Sequence, residues 1–355
     1  MFFMRQSPTI RIKVCLAIAA FLSCLLPVFA INSQTGTSFV IRPPANSSDA
    51  VIQRALDQLP ADGGSVLLSP GVYVIHHPLV LSRSGMALRG SGAVTVLQLA
   101  DRANCPVIIL GSISGSTTSI VHNLCVSDLV IDGNRSHQMM EQWLNPLNTS
   151  GIENNGIIIQ CVSNSMVERV VAAHCRSGGL VTAVETRNLT VEDFTSFDNQ
   201  FDGLACYKTE DSVFTKLNLH DNQCAGISLD LDFNHNVISD STLAGNDLGI
   251  FMRESFSNQF HNLSISQSRH DGVFMAQWVQ SEAKGWEYIP QTECAGNQFD
   301  GLQIHGCAGD AFCIHDPSCI RNVVEDERFS GNLTNGVVEG NTKPAHLLGL
   351  LTSKN

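Results

Sequence analysis

Asp198-Asn199-Gln200-Phe201-Asp202-Gly203-Leu204-Ala205-Cys206 is followed, 23 residues on, by Asp221-Asn222-Gln223-Cys224-Ala225-Gly226-Ile227-Ser228-Leu229. A glycine leading an apolar triplet recurs at Gly156, Gly179, Gly203, Gly226, Gly249 and Gly272, with successive differences of 23, 24, 23, 23 and 23 residues. Self-similarity at a fixed short period is the mark of a solenoid. Twelve residues before these glycines come Val167, Val191, Phe214, Val237 and Phe260; one residue after come Leu180, Leu204, Ile227, Ile250 and Val273. Each row is expected to stack in the interior.

A single turn of this kind cannot bury its apolar side chains, whereas stacked turns bury them continuously and satisfy one another's backbone hydrogen bonds. Gly, Asn and β-branched residues every few positions, with 6% aromatic and 15% charged residues, favour short strands over packed helices. The fold class predicted is all-β, a right-handed parallel β-helix of about nine to twelve turns. The frame resumes beyond an interruption: Asn297-Gln298-Phe299 repeats Asn258-Gln259-Phe260, and Asp310-Ala311-Phe312 repeats Asp271-Gly272-Val273. From Gly272 to Ala311 is 39 residues, 16 more than the period of 23. The surplus, Trp278 to Glu293, holds Trp278, Trp286 and Tyr288. Asn335-Gly336-Val337-Val338 suggests a last turn.

Arg5, Arg11 and Lys13 precede the apolar run Val14–Leu26 and the small-residue site Pro27-Val28-Phe29-Ala30, the layout of a signal peptide. That run is shorter than the ~20 residues of a spanning helix. The expected division is a signal peptide over 1–30, an extension with a capping helix over 31–63, the β-helix over 64–345 and a tail over 346–355. A secreted or periplasmic, monomeric chain free of the membrane follows. The net charge of -12 argues against nucleic acid, and against an anionic polymer unless a cation bridges it. Ten of the twelve cysteines lie outside the signal, an even number suited to disulfides in an oxidising compartment. Cys294, Cys307, Cys313 and Cys319 are the candidates; Cys206, in the row of Leu229 and Met252, reads as core.

Ser48 to Leu59 reads as an amphipathic helix capping the open end of the solenoid, where a bare strand edge would invite aggregation. That helix, Gly63-Gly64-Ser65-Val66-Leu67-Leu68-Ser69-Pro70-Gly71-Val72-Tyr73, Ala87-Leu88-Arg89-Gly90-Ser91-Gly92 and Val130-Ile131-Asp132-Gly133-Asn134 resemble the amino-terminal half of pectate-lyase-superfamily β-helix proteins. These are fold motifs and carry no reaction.

Equivalent residues of neighbouring turns lie about 4.8 Å apart in a parallel β-helix. Four to six places past each glycine, successive turns offer Glu185; Tyr207 and Lys208; Asp230 and Asp232; Arg253 and Glu254; Gln277 and Trp278; and His315 and Asp316. A chain with few charges has gathered ionisable groups of both signs on one ridge. As isolated surface residues they would contribute at most about 1 kcal/mol per ion pair. As a set flanked by Trp278 and Trp286 they form a cleft able to track an extended polysaccharide, anionic or neutral, with Glu185, Glu254, Trp278, Trp286 and His315 as binding residues.

The Asp-Asn-x-x-x-Gly turns ending at Gly203 and Gly226 look like those of mannuronan C5-epimerase catalytic modules. The resemblance implies that Asp230 matches a catalytic-site Asp and that Tyr207 stands where the family has the His of its Asp-Pro-His motif; this chain reads Leu204-Ala205-Cys206-Tyr207 there. Epimerases and polyuronate lyases begin by removing the proton next to a carboxylate, which needs a base, an acid and a carboxylate neutraliser. Lys208 or Tyr207 would be the base, Arg253 the neutraliser, and Asp230 with Asp232 a Ca²⁺ site or an orienting pair. A glycoside hydrolase is the alternative: Asp232 and Glu185, two turns apart, would lie about 9.6 Å apart, and Asp230 and Glu254 closer. The Asn-Thr-Asp, Asp-Asp and Gly-His signatures of polygalacturonase-like hydrolases are missing, and His270-Asp271-Gly272 reads as a turn. A non-catalytic carbohydrate-binding or adhesion solenoid is the third class. No dinucleotide fingerprint, P-loop or zinc-like Cys/His spacing occurs.

Overall fold

The computed structural model describes residues 39–113, 119–139, 154–276, 294–316 and 319–339, with the backbone of 278–281 and 285–288. All lie in the unit Ser38–Asn355. The expected signal peptide and tail, the side chains of Trp278, Trp286 and Tyr288, and the end of the predicted solenoid past 339 fall outside the described residues.

The chain winds into an all-β, right-handed parallel solenoid of about 11 coils with a single helix, as the repeat predicts. Leu180 pairs with Leu204, Leu204 with Ile227, Ile227 with Ile250 and Ile250 with Val273, so that row stacks as read from the sequence. Val273 continues to Phe312 and Phe312 to Val337 across the interruption. All of these but Val337 are fully buried. Cys206 sits between Thr182 and Leu229 as a buried core residue.

The second row departs by one residue. Val191 pairs with Phe214, but Phe214 pairs with Ile238, which pairs with Phe260. Val237 is half-buried and faces away. The cause is one extra residue in the preceding turn: Tyr207 pairs with Asp230 at an offset of 23, while Glu210 pairs with Asn234 at 24. Leu231 and Asp232 share that turn, both with positive φ, 48° and 68°.

Asparagines staple the coils from inside. Nδ2 of Asn199 donates to Oδ1 of Asn222 at 2.8 Å, and Asn222 to Asn246 at 2.9 Å. A second ladder runs Asn236, Asn258, Asn297 and Asn322, with steps of 3.2, 2.9 and 2.9 Å. Each amide takes one hydrogen bond and gives another to the next coil, so the buried polar groups stay satisfied.

The helix Asp49–Asp57 buries Ile52, Ala55 and Leu56 into the main core. Ser48 makes no side-chain cap; Asp49 instead accepts from the backbone of His76 and His77 at 3.1 and 2.8 Å. Gln53 pairs with the first strand edge in both directions, accepting from Val80 N at 2.8 Å and donating to Val80 O at 3.1 Å. A side-chain amide thus stands in for a neighbouring strand. The sheet also starts before the expected boundary at residue 64, because Val40–Ile41 pairs with Ser65–Val66.

Candidate functional site

The strands Leu204–Tyr207, Ala225–Asp230, Leu248–Arg253 and Val273–Ala276 stack in one sheet and end together. Because side chains alternate along a strand, the interior residues Cys206, Leu229, Met252 and Met275 place Tyr207, Asp230, Arg253 and Ala276 on the outer face. His315, whose N–H bonds Met275 O at 2.8 Å, continues the column. In the adjoining turn, Lys208 donates its N–H to Leu231 O at 2.8 Å, and Asp232 donates to Glu254 O at 3.0 Å. The structure therefore gathers Tyr207, Lys208, Asp230, Asp232, Arg253 and Glu254 at one strand end, with Glu185 at the same turn a coil earlier.

Within that group the closest association is Asp230 with Arg253. Arg253 Nε lies 3.0 Å from Asp230 Oδ1 and 2.9 Å from Oδ2, and Nη2 also reaches Oδ2. The side chains are only 5% and 15% exposed, so the pair is sheltered from screening. Burial works against the Arg253 charge, yet the Asp230 carboxylate, with Glu254 and Tyr207, raises its pKa above the ordinary value. Leu231 N–H adds a bond to Asp230 Oδ1 at 2.8 Å. Arg253 also sits 5.8 Å from the centre of the Phe251 ring, a cation–π distance.

Around this pair the other residues differ in access. Lys208 is exposed, and no ion pair of its ammonium occurs among the described residues. Tyr207 is half-buried, its carbonyl accepting from Thr182 at 3.2 Å and Thr209 at 3.0 Å. Glu254 and His315 are buried and Asp232 is exposed. Asp230 and Asp232 thus differ in surroundings, and Arg253 already balances the Asp230 charge that a Ca²⁺ ion would seek. Trp278 and Trp286 belong to a two-stranded antiparallel hairpin, Trp278 opposite Tyr288 and Gln280 opposite Trp286.

Sequence reasoning missed the outward-facing apolar patch beside the ridge. Phe251 stacks on Phe274 at 6.1 Å, and Phe274 meets His315 at 5.3 Å. Ala225, Leu248, Phe274, Ala276 and Cys313 form a buried cluster separate from the main core. The signal was present, since the middle residue of each apolar triplet must face outward. His270 lies elsewhere, bonded through Nδ1 to Asp247 at 3.0 Å; that bond raises its pKa above the ordinary imidazole value.

The fold is that of a right-handed parallel β-helix protein. More narrowly, the chain belongs to the family described as periplasmic copper-binding protein (NosD), whose model matches residues 100–304, more than half of the 355. Among the described residues no group of three or more His, Cys, Asp or Glu could hold a metal ion. No helix among them is long and apolar enough to cross a membrane.

Among solved structures, the N-terminal fragment of bacteriophage phi29 gene product 12 is similar at a TM-score of 0.60 and 14% identity, over 83% of this chain and 56% of that one. A family 28 exopolygalacturonase of Yersinia enterocolitica gives 0.56 and 9%, over 86% and 78%. The A-module of the Azotobacter vinelandii mannuronan C-5 epimerase AlgE4 gives 0.48 and 17%, over 83% and 96%. At these identities the likeness is one of fold. No curated protein matches the sequence.

Proposed function

We propose that this is an exported, carbohydrate-active β-helix protein that engages an extended polysaccharide along the strand-end ridge and abstracts the proton next to a uronate carboxylate. The observation that carries the reading is the set Tyr207, Lys208, Asp230 and Arg253, brought to one strand end on consecutive coils. Polar groups repeating at about 4.8 Å suit a polymer lying along the solenoid axis. The exopolygalacturonase named above acts on a polyuronate, which supports the substrate class, and the periplasmic description of the family supports export.

The geometry favours one division of the chemical roles. Arg253 is committed to Asp230, so the exposed Lys208 takes the part of carboxylate neutraliser. Tyr207 couples electrostatically to Arg253 and acts as the base, with the guanidinium charge steadying the phenolate formed there. Asp230 is a positioning residue that holds Arg253 in place. The same commitment disfavours the hydrolase reading, because Asp230 already neutralises a cation and is poorly placed to serve as a nucleophile beside Glu254.

The test is a screen of alginate, pectate and neutral glycans, with and without Ca²⁺. Ultraviolet absorbance of an unsaturated uronate reports a lyase, the NMR spectrum of the polymer reports epimerisation, and reducing ends without unsaturation report a hydrolase. On a polyuronate that is turned over, Lys208→Ala and Tyr207→Phe are each expected to lower kcat/KM at least ~100-fold. Unchanged turnover in both variants, or binding with no product from any polymer, sinks the proposed chemistry.

A further inference from the structure

We infer that Cys294 and Cys319 are the two halves of a disulfide that staples the last described coil to the one before it. The residues hold the same station on consecutive coils. They are 25 apart, the offset that relates Gln298 to Val323 and Asn297 to Asn322. Around them the coils are in register: Gly296 N–H donates to Ile320 O at 3.1 Å, and Asn322 Nδ2 to Cys294 O at 3.0 Å. Both side chains belong to the interior core, 0% and 6% exposed. A coil spacing of about 4.8 Å falls inside the roughly 4.4–6.8 Å Cα separation that a disulfide spans.

Register also separates this pair from the other cysteines of the same segment. Cys313 pairs with Phe274 on one side and Val338 on the other. Cys307 donates its N–H to Asn332 Oδ1, while Ala308 next to it bonds Ser268 O. Neither meets a cysteine of the adjoining coil at its own station. The structure holds all ten described cysteines as thiols.

Closing the bond consumes one equivalent of a disulfide-bearing oxidant. One cysteine thiolate attacks the oxidant, expelling one thiol; the second displaces the mixed disulfide and expels the other. Two protein thiols and one oxidant disulfide thus become one protein disulfide and two oxidant thiols. The neighbouring Cys319 thiol and burial hold the Cys294 pKa well above the ordinary value, so Cys294 in the folded chain is a poor nucleophile and the bond forms before the last coil closes. The staple acts where it is most useful: Val323, Leu333 and Val337 of that coil are exposed.

The experiment uses the whole chain, once from an exporting host and once refolded from the reduced state in a mixture of glutathione and its disulfide. Each sample is unfolded with an alkylating reagent and no reductant, then cleaved before aspartates. Cuts at Asp271, Asp300, Asp310, Asp316 and Asp326 put Cys294, Cys307, Cys313 and Cys319 on four different peptides. The expected result is a linked pair joining the Cys294 and Cys319 peptides. Reductant should lower the unfolding midpoint by about 5–10 °C and leave Cys319→Ser unmoved. Free Cys294 and Cys319 in the refolded sample, or either joined to a different cysteine, overturns the inference. A link after refolding with free thiols from the exporting host upholds the pairing and counts instead against export into an oxidising compartment.

Discussion

Two turns of the same coil obey opposite rules. The turn holding Asn236, Asn258, Asn297 and Asn322 repeats one residue on four successive coils; the strand end holding Tyr207, Asp230, Arg253 and Ala276 repeats none. An amide is donor and acceptor at once, so a stack of identical amides satisfies itself at the spacing of the sheet. A stack of identical charges would repel at that spacing. Ionisable groups can share a column only by alternating sign or by giving way to neutral ones, which is what Asp230 and Arg253 do. Sameness from coil to coil marks scaffold, and variation marks the place where the scaffold is put to use.

The most severe way to break this contrast is to remove one charge of the sheltered pair. Asp230→Ala leaves the Arg253 guanidinium largely buried without its carboxylate and is expected to cost about 3–5 kcal/mol. Denaturant unfolding checks it, and Asp230→Ala with Arg253→Met should recover most of the loss. If the single variant is as stable as the parent, the pair is an exposed one of little consequence and the ridge loses its organising element.

Next in size is the ladder. Asn258→Ala deprives the backbone N–H and Nδ2 of Asn236 of their shared acceptor, and Asn297 Oδ1 of the Asn258 Nδ2 donor, at once, all buried. Orphaned buried polar groups cost about 1–3 kcal/mol each, so a loss of about 2–4 kcal/mol is expected in the same measurement, with no change in the chemistry of the ridge. A variant that unfolds normally but loses polymer binding would contradict the division between scaffold and site.

The rows of the solenoid were legible because burial forces the same polarity on each coil: Leu180, Leu204, Ile227, Ile250 and Val273 could be aligned from spacing alone. Spacing failed at Val237, whose place is taken by Ile238. The extra residue at Leu231–Asp232 is compensated later in the coil, since Ala244 pairs with His220 at an offset of 24 and Leu248 with Ala225 at 23. The interval between Gly226 and Gly249 therefore conceals it. The members of the ridge could likewise be read from the period. Their partnerships could not, because whether Arg253 faces a substrate or Asp230 depends on side-chain direction. Phe251 and Phe274 stayed hidden for a related reason: within an apolar triplet, composition does not distinguish the middle residue, although the pleat does.

The smallest effect sharpens the contrast through pH. His270 and Asp247 sit on consecutive coils near the start of the strands that end in the ridge, joined at 3.0 Å. The Asp247 hydrogen bond, working against burial, raises the His270 pKa in the folded chain. A raised folded pKa means that the stabilisation is fully present below the unfolded imidazole value and is lost as the pH climbs through the folded one. Stability should therefore fall modestly as the pH rises through the range just above the ordinary imidazole pKa. Asp247→Asn should flatten that dependence by lowering stability on the acid side alone. A slope that persists unchanged in the variant would assign the pH dependence to other histidines and leave this pair as an ordinary coil contact, as variable as the ridge but without its consequence.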